Sequence, residues 1–295
     1  MKDRSIFSFF ILALFSISPS LAQDAPKGVP ARVEVKGGPV DQSKAEAVLK
    51  DSPRHGEWVD VPGPAAEGAA GRAAIKSWIV YPERADKAPV VIVIHEIFGM
   101  SDWVRATADQ LAAEGFIAIA PDLLSGKGPD GGATDSMNSG EVGEAIRKLK
   151  PEEVTSRLNA VREYGLKLPA AAQKVGCIGF CWGGSQSFRY ACEQAKLGAA
   201  VVCYGTAPMK DGKPDTELLS KIQCPVLGLY GGNDARVTAT VAPTDEAMGS
   251  LKKTYEHEAY EGAGHGFVRQ HAGANAEAAK KGWERAIAFL KKNLE

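Results

Sequence analysis

An excess of charge of either sign is what this 295-residue sequence most plainly lacks: 35 Lys and Arg stand against 36 Asp and Glu, a formal net charge of -1. With no run of five like charges, it offers no electrostatic surface for nucleic acid and no polybasic patch for a membrane. Gly-X-Y and heptad periods are absent, which excludes fibrous classes, and a hydrophobic share of 44% excludes a disordered chain. There is no Gly-x-Gly-x-x-Gly fingerprint and no Walker loop, so no nucleotide cofactor is indicated. Cysteine is sparse, at five, and Cys177-x-x-x-Cys181 has no second pair to complete a zinc ribbon. His95, His257 and His271 have no His-x-x-x-His spacing that would recruit Glu96 or Glu258 to a metal, so no cofactor of any kind is expected.

Only one apolar run stands out at the N-terminus. Met1-Lys2-Asp3-Arg4 precedes the stretch Ile6 to Ile17, which is followed by Ser20-Leu21-Ala22. The run is short for a bilayer span, and small residues before a cut after Ala22 suit a signal peptidase. Residues 1–22 therefore read as a signal peptide, and the chain is expected to be exported, periplasmic or secreted, with no membrane attachment after cleavage. In an oxidising compartment an odd number of cysteines leaves at least one thiol unpaired; pairing among Cys177, Cys192, Cys203 and Cys224 stays open. Gln23 to His55 is rich in Pro, Gly, Lys and Glu, so 23–55 reads as a flexible leader with at most a short helix near Ser43 to Leu49. That leaves 56–295 as a single domain.

Within it, His55–Val61 and Ala73–Tyr81 read as two short strands flanking the small-residue loop Pro62 to Gly71. Then strand and helix signals alternate. Val90–Ile94 is a β-branched run of the sort buried on both faces of a parallel sheet. A helical segment Trp103–Glu114 and a second apolar run, Phe116–Ala120, follow it. After a loop from Ser125 to Gly140 come a helix Pro151–Tyr164, a strand Val175–Gly179, a helix Gly183–Gln194 and three more strands: Ala199–Tyr204, Pro225–Tyr230 and Lys253–Tyr260. An amphipathic helix Ala276–Leu294 closes the chain. This alternation specifies a mostly parallel, doubly wound α/β sheet with helices on both faces, whose site lies at the carboxyl ends of the strands.

The sharpest motif is Gly179-Phe180-Cys181-Trp182-Gly183-Gly184, between a strand and a helix. A Gly-x-nucleophile-x-Gly corner pushes its central side chain out over the sheet, and the helix N-terminus behind it favours a thiolate. A nucleophile needs a base, and the base an orienting acid. Asp234 follows Cys181 by 53 residues, in Gly231-Gly232-Asn233-Asp234, and His265 follows by a further 31, in Gly264-His265-Gly266. Each lies just past a strand, in the chain order nucleophile, acid, histidine.

These segments, with His95-Glu96-Ile97-Phe98-Gly99, Ala120-Pro121-Asp122-Leu123 and Ala263-Gly264-His265-Gly266-Phe267-Val268-Arg269, resemble the dienelactone hydrolase family of α/β-hydrolases over about Ile75 to Leu294. The resemblance implies an α/β-hydrolase fold and a Cys181–His265–Asp234 triad that cleaves a small-molecule ester or lactone through a thioester. It also implies oxyanion donors at the backbone N–H groups of Ile97 and Trp182, a resting Cys181 thiol bonded to Glu96, and Arg269 as the grip on a substrate carboxylate. Phe98, Trp182 and Tyr204 are expected as apolar lining. Where the family places a second substrate arginine, this chain has Leu124-Ser125-Gly126-Lys127. Two other readings stay open: a general small-acyl carboxylesterase or thioesterase, and a non-catalytic binding protein on the same scaffold. Oligomeric state is not legible.

Overall fold

A computed structural model describes residues 37–64 and 74–295. The expected signal peptide, the leader up to residue 36 and most of the loop after Pro62 lie outside the described residues. In chain order the elements are α1 (Ala45–Asp51), β1 (Gly56–Pro62), β2 (Ala74–Val80), β3 (Ala88–Ile94), α2 (Asp102–Ala113), β4 (Ile117–Pro121), α3 (Ser139–Lys148), α4 (Pro151–Lys167), β5 (Ala171–Phe180), α5 (Trp182–Glu193) and β6 (Ala199–Cys203). A small hairpin of β7 (Met209–Lys210) and β8 (Lys213–Pro214) leads to α6 (Thr216–Leu219), β9 (Val226–Gly231), α7 (Ala235–Thr238), α8 (Val241–Ser250), β10 (Tyr255–Tyr260) and α9 (Ala274–Leu294).

Eight strands form one sheet in the order β1-β2-β4-β3-β5-β6-β9-β10; β2 runs antiparallel to both its neighbours and every other pairing is parallel. This is the doubly wound α/β-hydrolase sheet. Strand periodicity splits the core into two layers. Val91, Val93, Val201 and Leu227 face α2 and α9 through Trp103, Leu111, Trp283 and Leu290. Their alternate neighbours Val90, Ile92, Ala200 and Val226 face α4 and α5 through Leu158, Val161 and Phe188.

Register decides where chemistry can sit. Ile94 pairs with Gly179, Phe180 with Cys203, and Tyr260 with Gly231, so β3, β5, β6, β9 and β10 end at one edge of the sheet. The residues that follow those ends, from His95, Cys181, Tyr204, Gly232 and Glu261 onward, share that edge.

Three features differ from the expectation. From residue 37 the leader is folded onto the domain: Gly38 N–H donates to Gln110, Val40 carbonyl accepts from the Trp103 indole at 2.7 Å, and Arg54 forks onto Asp109. These polar anchors add to a small apolar patch, Val40 and Ala45 buried with Val48 and Leu49 packed beside them, too sparse in a Pro-, Gly- and Lys-rich stretch to stand out in composition. Second, α3 replaces the end of the Ser125–Gly140 loop and continues to Lys148. Its start is a capping box in which Asn138 accepts from Gly140 and Glu141 N–H groups and Glu141 accepts from Asn138 N–H. Third, the hairpin and the short helices α6, α7 and α8 are too brief, or too weakly periodic, to stand out.

Candidate active site

The β5–α5 corner sets Cys181 at φ 56° and ψ -115°, a conformation non-glycine residues adopt only under constraint, at a cost of about 1–3 kcal/mol. The constraint is local crowding. A Cβ at Gly183 would lie 2.3 Å from the carbonyl oxygens of Ile94 and His95, and one at Gly179 would lie 1.9 Å from the Gly183 carbonyl oxygen. The start of α5 is thereby pressed against the end of β3. Cys181 N–H donates to Cys203 carbonyl at 3.0 Å, and Ser185 N–H donates to Cys181 carbonyl, opening α5.

Asp234 caps α7, its carbonyl accepting from Val237 and Thr238 N–H groups. The loop after β9 and the loop after β10 are sewn together by Gly232 N–H to Tyr260 carbonyl and Asn233 N–H to Ala263 carbonyl. Gly264 N–H is held in turn by the Asn275 side chain at the start of α9. The stitching brings the three predicted residues into line. His265 Nδ1 is 2.5 Å from Asp234 Oδ2, and His265 Nε2 is 3.1 Å from Cys181 Sγ. With Asp234 buried and accepting at Nδ1, the proton-bearing nitrogen is Nδ1 and Nε2 is free to accept from a thiol. Tyr204 stands behind the imidazole, ring centroids 5.1 Å apart and edge to face.

Glu96 lies at this edge too, its side chain only 3% exposed. Arg269 Nε sits 2.6 Å from its Oε2, close as an ion pair although not aligned as a hydrogen bond. Burial raises the Glu96 pKa, while Arg269 and the buried Tyr204 hydroxyl pull it back. The Cys181 thiol is also pushed up, first by burial and then by the negative charge of Glu96, against the opposing pull of the Trp182 N–H, Arg236 and Arg269. Desolvation and a neighbouring carboxylate thus outweigh the helix N-terminus, and Cys181 is held toward the neutral thiol. The expected thiol-to-Glu96 contact takes another form: the thiol turns to His265, and the carboxylate turns to Arg269 and acts on sulfur through charge.

Residues 75–294 match the family model of the dienelactone hydrolase family. The chain belongs to the dienelactone hydrolase family. A Salmonella typhimurium protein named "Putative carboxymethylenebutenolidase" is 33% identical over 218 residues, covering 71% of this chain and 79% of that one. A similarly named Saccharolobus solfataricus protein is 29% identical over 257 residues, covering 75% and 95%. Among solved structures, a Klebsiella pneumoniae dienelactone hydrolase homologue superposes with TM-score 0.68 at 27% identity, over 81% of this chain and 99% of that one. The protein is accordingly a hydrolase with the α/β-hydrolase fold.

Against the dienelactone hydrolase pattern the remaining residues fall as follows. Ile97 begins the turn after β3, against which α5 is packed, and the Trp182 N–H points at Cys181 sulfur. The Trp182 indole stacks on the His95 imidazole at 5.5 Å. His95 was not among the expected site residues, yet it is fully buried: its Nδ1 bonds Glu96 carbonyl and its Nε2 accepts from Leu123 N–H, tying the 95–97 turn to the end of β4. Its position directly before Glu96, at the end of a buried strand, is the signal in the sequence. Phe98 is 48% exposed, under the Arg269 guanidinium at 4.7 Å. Tyr204 is fully buried, so it supports His265 and Glu96 from behind. Lys127 pairs with Glu153 at 2.7 Å and lines a cavity of about 460 Å³ with Met137, Glu141 and Leu149, none of them a triad residue. All five thiols are free, and Cys177, Cys192, Cys203 and Cys224 are buried. Among the described residues no three His, Cys, Asp or Glu side chains gather as metal ligands.

Proposed function

We propose that this hydrolase cleaves a small-molecule ester or lactone through a thioester on Cys181, with His265 as general base and then acid and Asp234 orienting the imidazole. The observation that carries the proposal is the unbroken relay of Sγ to Nε2 at 3.1 Å and Nδ1 to Oδ2 at 2.5 Å. On substrate binding the thiol proton passes to His265 Nε2 and sulfur attacks the carbonyl carbon. The developing oxyanion accepts from the Ile97 and Trp182 N–H groups, where preorganised donors are worth the most. His265 then protonates the leaving oxygen, the thioester remains, and a water deprotonated by His265 releases the acid. Glu96 keeps the idle thiol protonated, which protects it from oxidation between turnovers. Arg269, whose charge acts on both Glu96 and Cys181, is the partner for a substrate carboxylate.

With 4-nitrophenyl acetate, Cys181→Ala is expected to lower kcat by at least about 10³-fold, and an acetyl adduct should be trapped on Cys181 at low pH. Turnover unchanged by the substitution overturns the nucleophile assignment. Export is part of the same proposal: mature protein recovered from the periplasm or medium should begin at Gln23, by N-terminal sequencing.

A further inference from the structure

The guanidinium of Arg269 is already partnered within the chain. Its Nε lies against Glu96 as an ion pair, its face lies on Phe98, and its Nη1 donates to the side-chain carbonyl of Gln42, a residue of the segment ahead of β1. Gln42 is held there by its backbone. Its N–H donates to the Arg269 carbonyl at 2.9 Å, Asp41 Oδ2 accepts from His271 N–H at 2.7 Å, and Val40 is tied to Trp103. Asp41 also accepts from the Ser43 hydroxyl, first of the hydrogen bonds that hold its pKa down to about 2, so this anchor is charged at neutral pH. The segment therefore straps the loop that carries His265 and Arg269, and sets one amide oxygen on the guanidinium.

A carboxylate that forks onto an arginine needs two parallel N–H donors. With Nε paired to Glu96, the remaining edge is Nη1 with Nη2, and Nη1 is already donating to Gln42. Nη1 carries two N–H groups, so an incoming anion shares that nitrogen with the amide or displaces it, and in either case competes with it. Gln42 is solvent-exposed, so its side chain can swing away, and a charged acceptor bonds a guanidinium more strongly than a neutral amide does. The amide thus sets a threshold without closing the site. The family match begins at residue 75, so this strap lies outside the matched residues and adds to the site from elsewhere in the chain.

We propose that Gln42 is a specificity-determining residue: by competing for Arg269 it lowers the advantage of anionic acyl groups over neutral ones. The proposal rests on the reading of Cys181 as nucleophile and Arg269 as carboxylate partner. Its test is the ratio of kcat/KM for mono-4-nitrophenyl succinate, which carries a free carboxylate, to that for 4-nitrophenyl valerate, its neutral counterpart. Gln42→Ala removes the competitor and is expected to raise that ratio about fivefold or more, while Gln42→Glu places a like charge at the same spot and is expected to lower it by at least as much. A merely structural role for the strap would move both variants in the same direction. A ratio unmoved by both, or shifted alike by both, overturns the proposal.

A second measurement separates the two readings. Succinate affinity is measured calorimetrically on Cys181→Ala protein, with and without each Gln42 substitution, and needs no turnover. Tightening with Gln42→Ala and weakening with Gln42→Glu supports the competition even if Cys181 proves not to be the nucleophile. Equal succinate affinity in all three proteins overturns it even if the nucleophile assignment stands.

Discussion

Single residues at this edge work against their own intrinsic tendencies. A cysteine at a helix N-terminus ordinarily drifts toward the thiolate, and here burial and Glu96 reverse the drift. Glu96→Gln removes the repelling charge and releases Arg269, both of which lower the thiol pKa. The rate-versus-pH curve for iodoacetamide alkylation of Cys181 should therefore move to lower pH in the variant, by mass-spectrometric readout; no movement would show that burial alone sets the thiol. His95 behaves in a related way. Burial holds its pKa below the ordinary value of 6.5, against the opposing pull of Asp122 and two backbone hydrogen bonds. A histidine whose folded pKa is depressed contributes stability that is full above the unfolded pKa and declines as pH falls below it. His95→Gln should flatten the loss of Tm between pH 6.5 and 5, measured by differential scanning calorimetry. Cys181, Asp234 and His265 were legible as a set because each follows a strand in a fixed order. His95 and Gln42 were not, because their roles come from partners far along the chain, Leu123 and Arg269, that no local pattern joins to them.

Elements carry the site through their ends. The β5–α5 corner works only because no Cβ stands between α5 and β3, so Gly183→Ala should force the two apart. A close contact of this kind in a packed interior costs about 1–3 kcal/mol. For a domain of this size that is a Tm loss of several degrees, about 2–4 °C per kcal/mol, and kcat should fall with it because Sγ is displaced from His265. Strand identity was readable from continuous β-branched runs such as Val90–Ile94, and helices α2, α4, α5 and α9 from their period. The folded strap was not readable, since its attachment combines Val40 carbonyl, Gln42 and the Arg54–Asp109 pair with only a few small apolar contacts, from Val40, Ala45, Val48 and Leu49. That pair is nearly inaccessible to solvent, so Asp109→Ala should cost about 3 kcal/mol by leaving a buried guanidinium without its carboxylate, in urea unfolding. Breaking a surface pair such as Lys148 with Glu144 should leave the unfolding midpoint essentially unmoved in the same assay.

At the scale of the molecule, the odd count of cysteines resolves into one half-buried nucleophile candidate and four thiols sealed in the core. Burial pushes the Cys192 and Cys224 thiols up to about 12, and Cys177 and Cys203 higher still. An aromatic disulfide reagent should thus titrate one thiol per chain in the native protein and all five after denaturation, and dithiothreitol should leave Tm unchanged. The sheet order was not recoverable from spacing alone: β4 precedes β5 in the chain yet sits on the far side of β3, a crossover set by packing.

The same topology has a kinetic meaning. Cys181 follows β5, Asp234 lies in the loop after β9 and His265 in the loop after β10, so the contact between Cys181 and His265 closes only when segments more than 80 residues apart along the chain have docked. Contacts of such long sequence separation form late, because loop closure must come first. During refolding from denaturant, helical signal should recover well before hydrolysis does. Enzymatic activity would then act as a clock hand for the last strands to join the sheet, and a chain stalled before β9 and β10 pair would look largely native by circular dichroism while remaining inert.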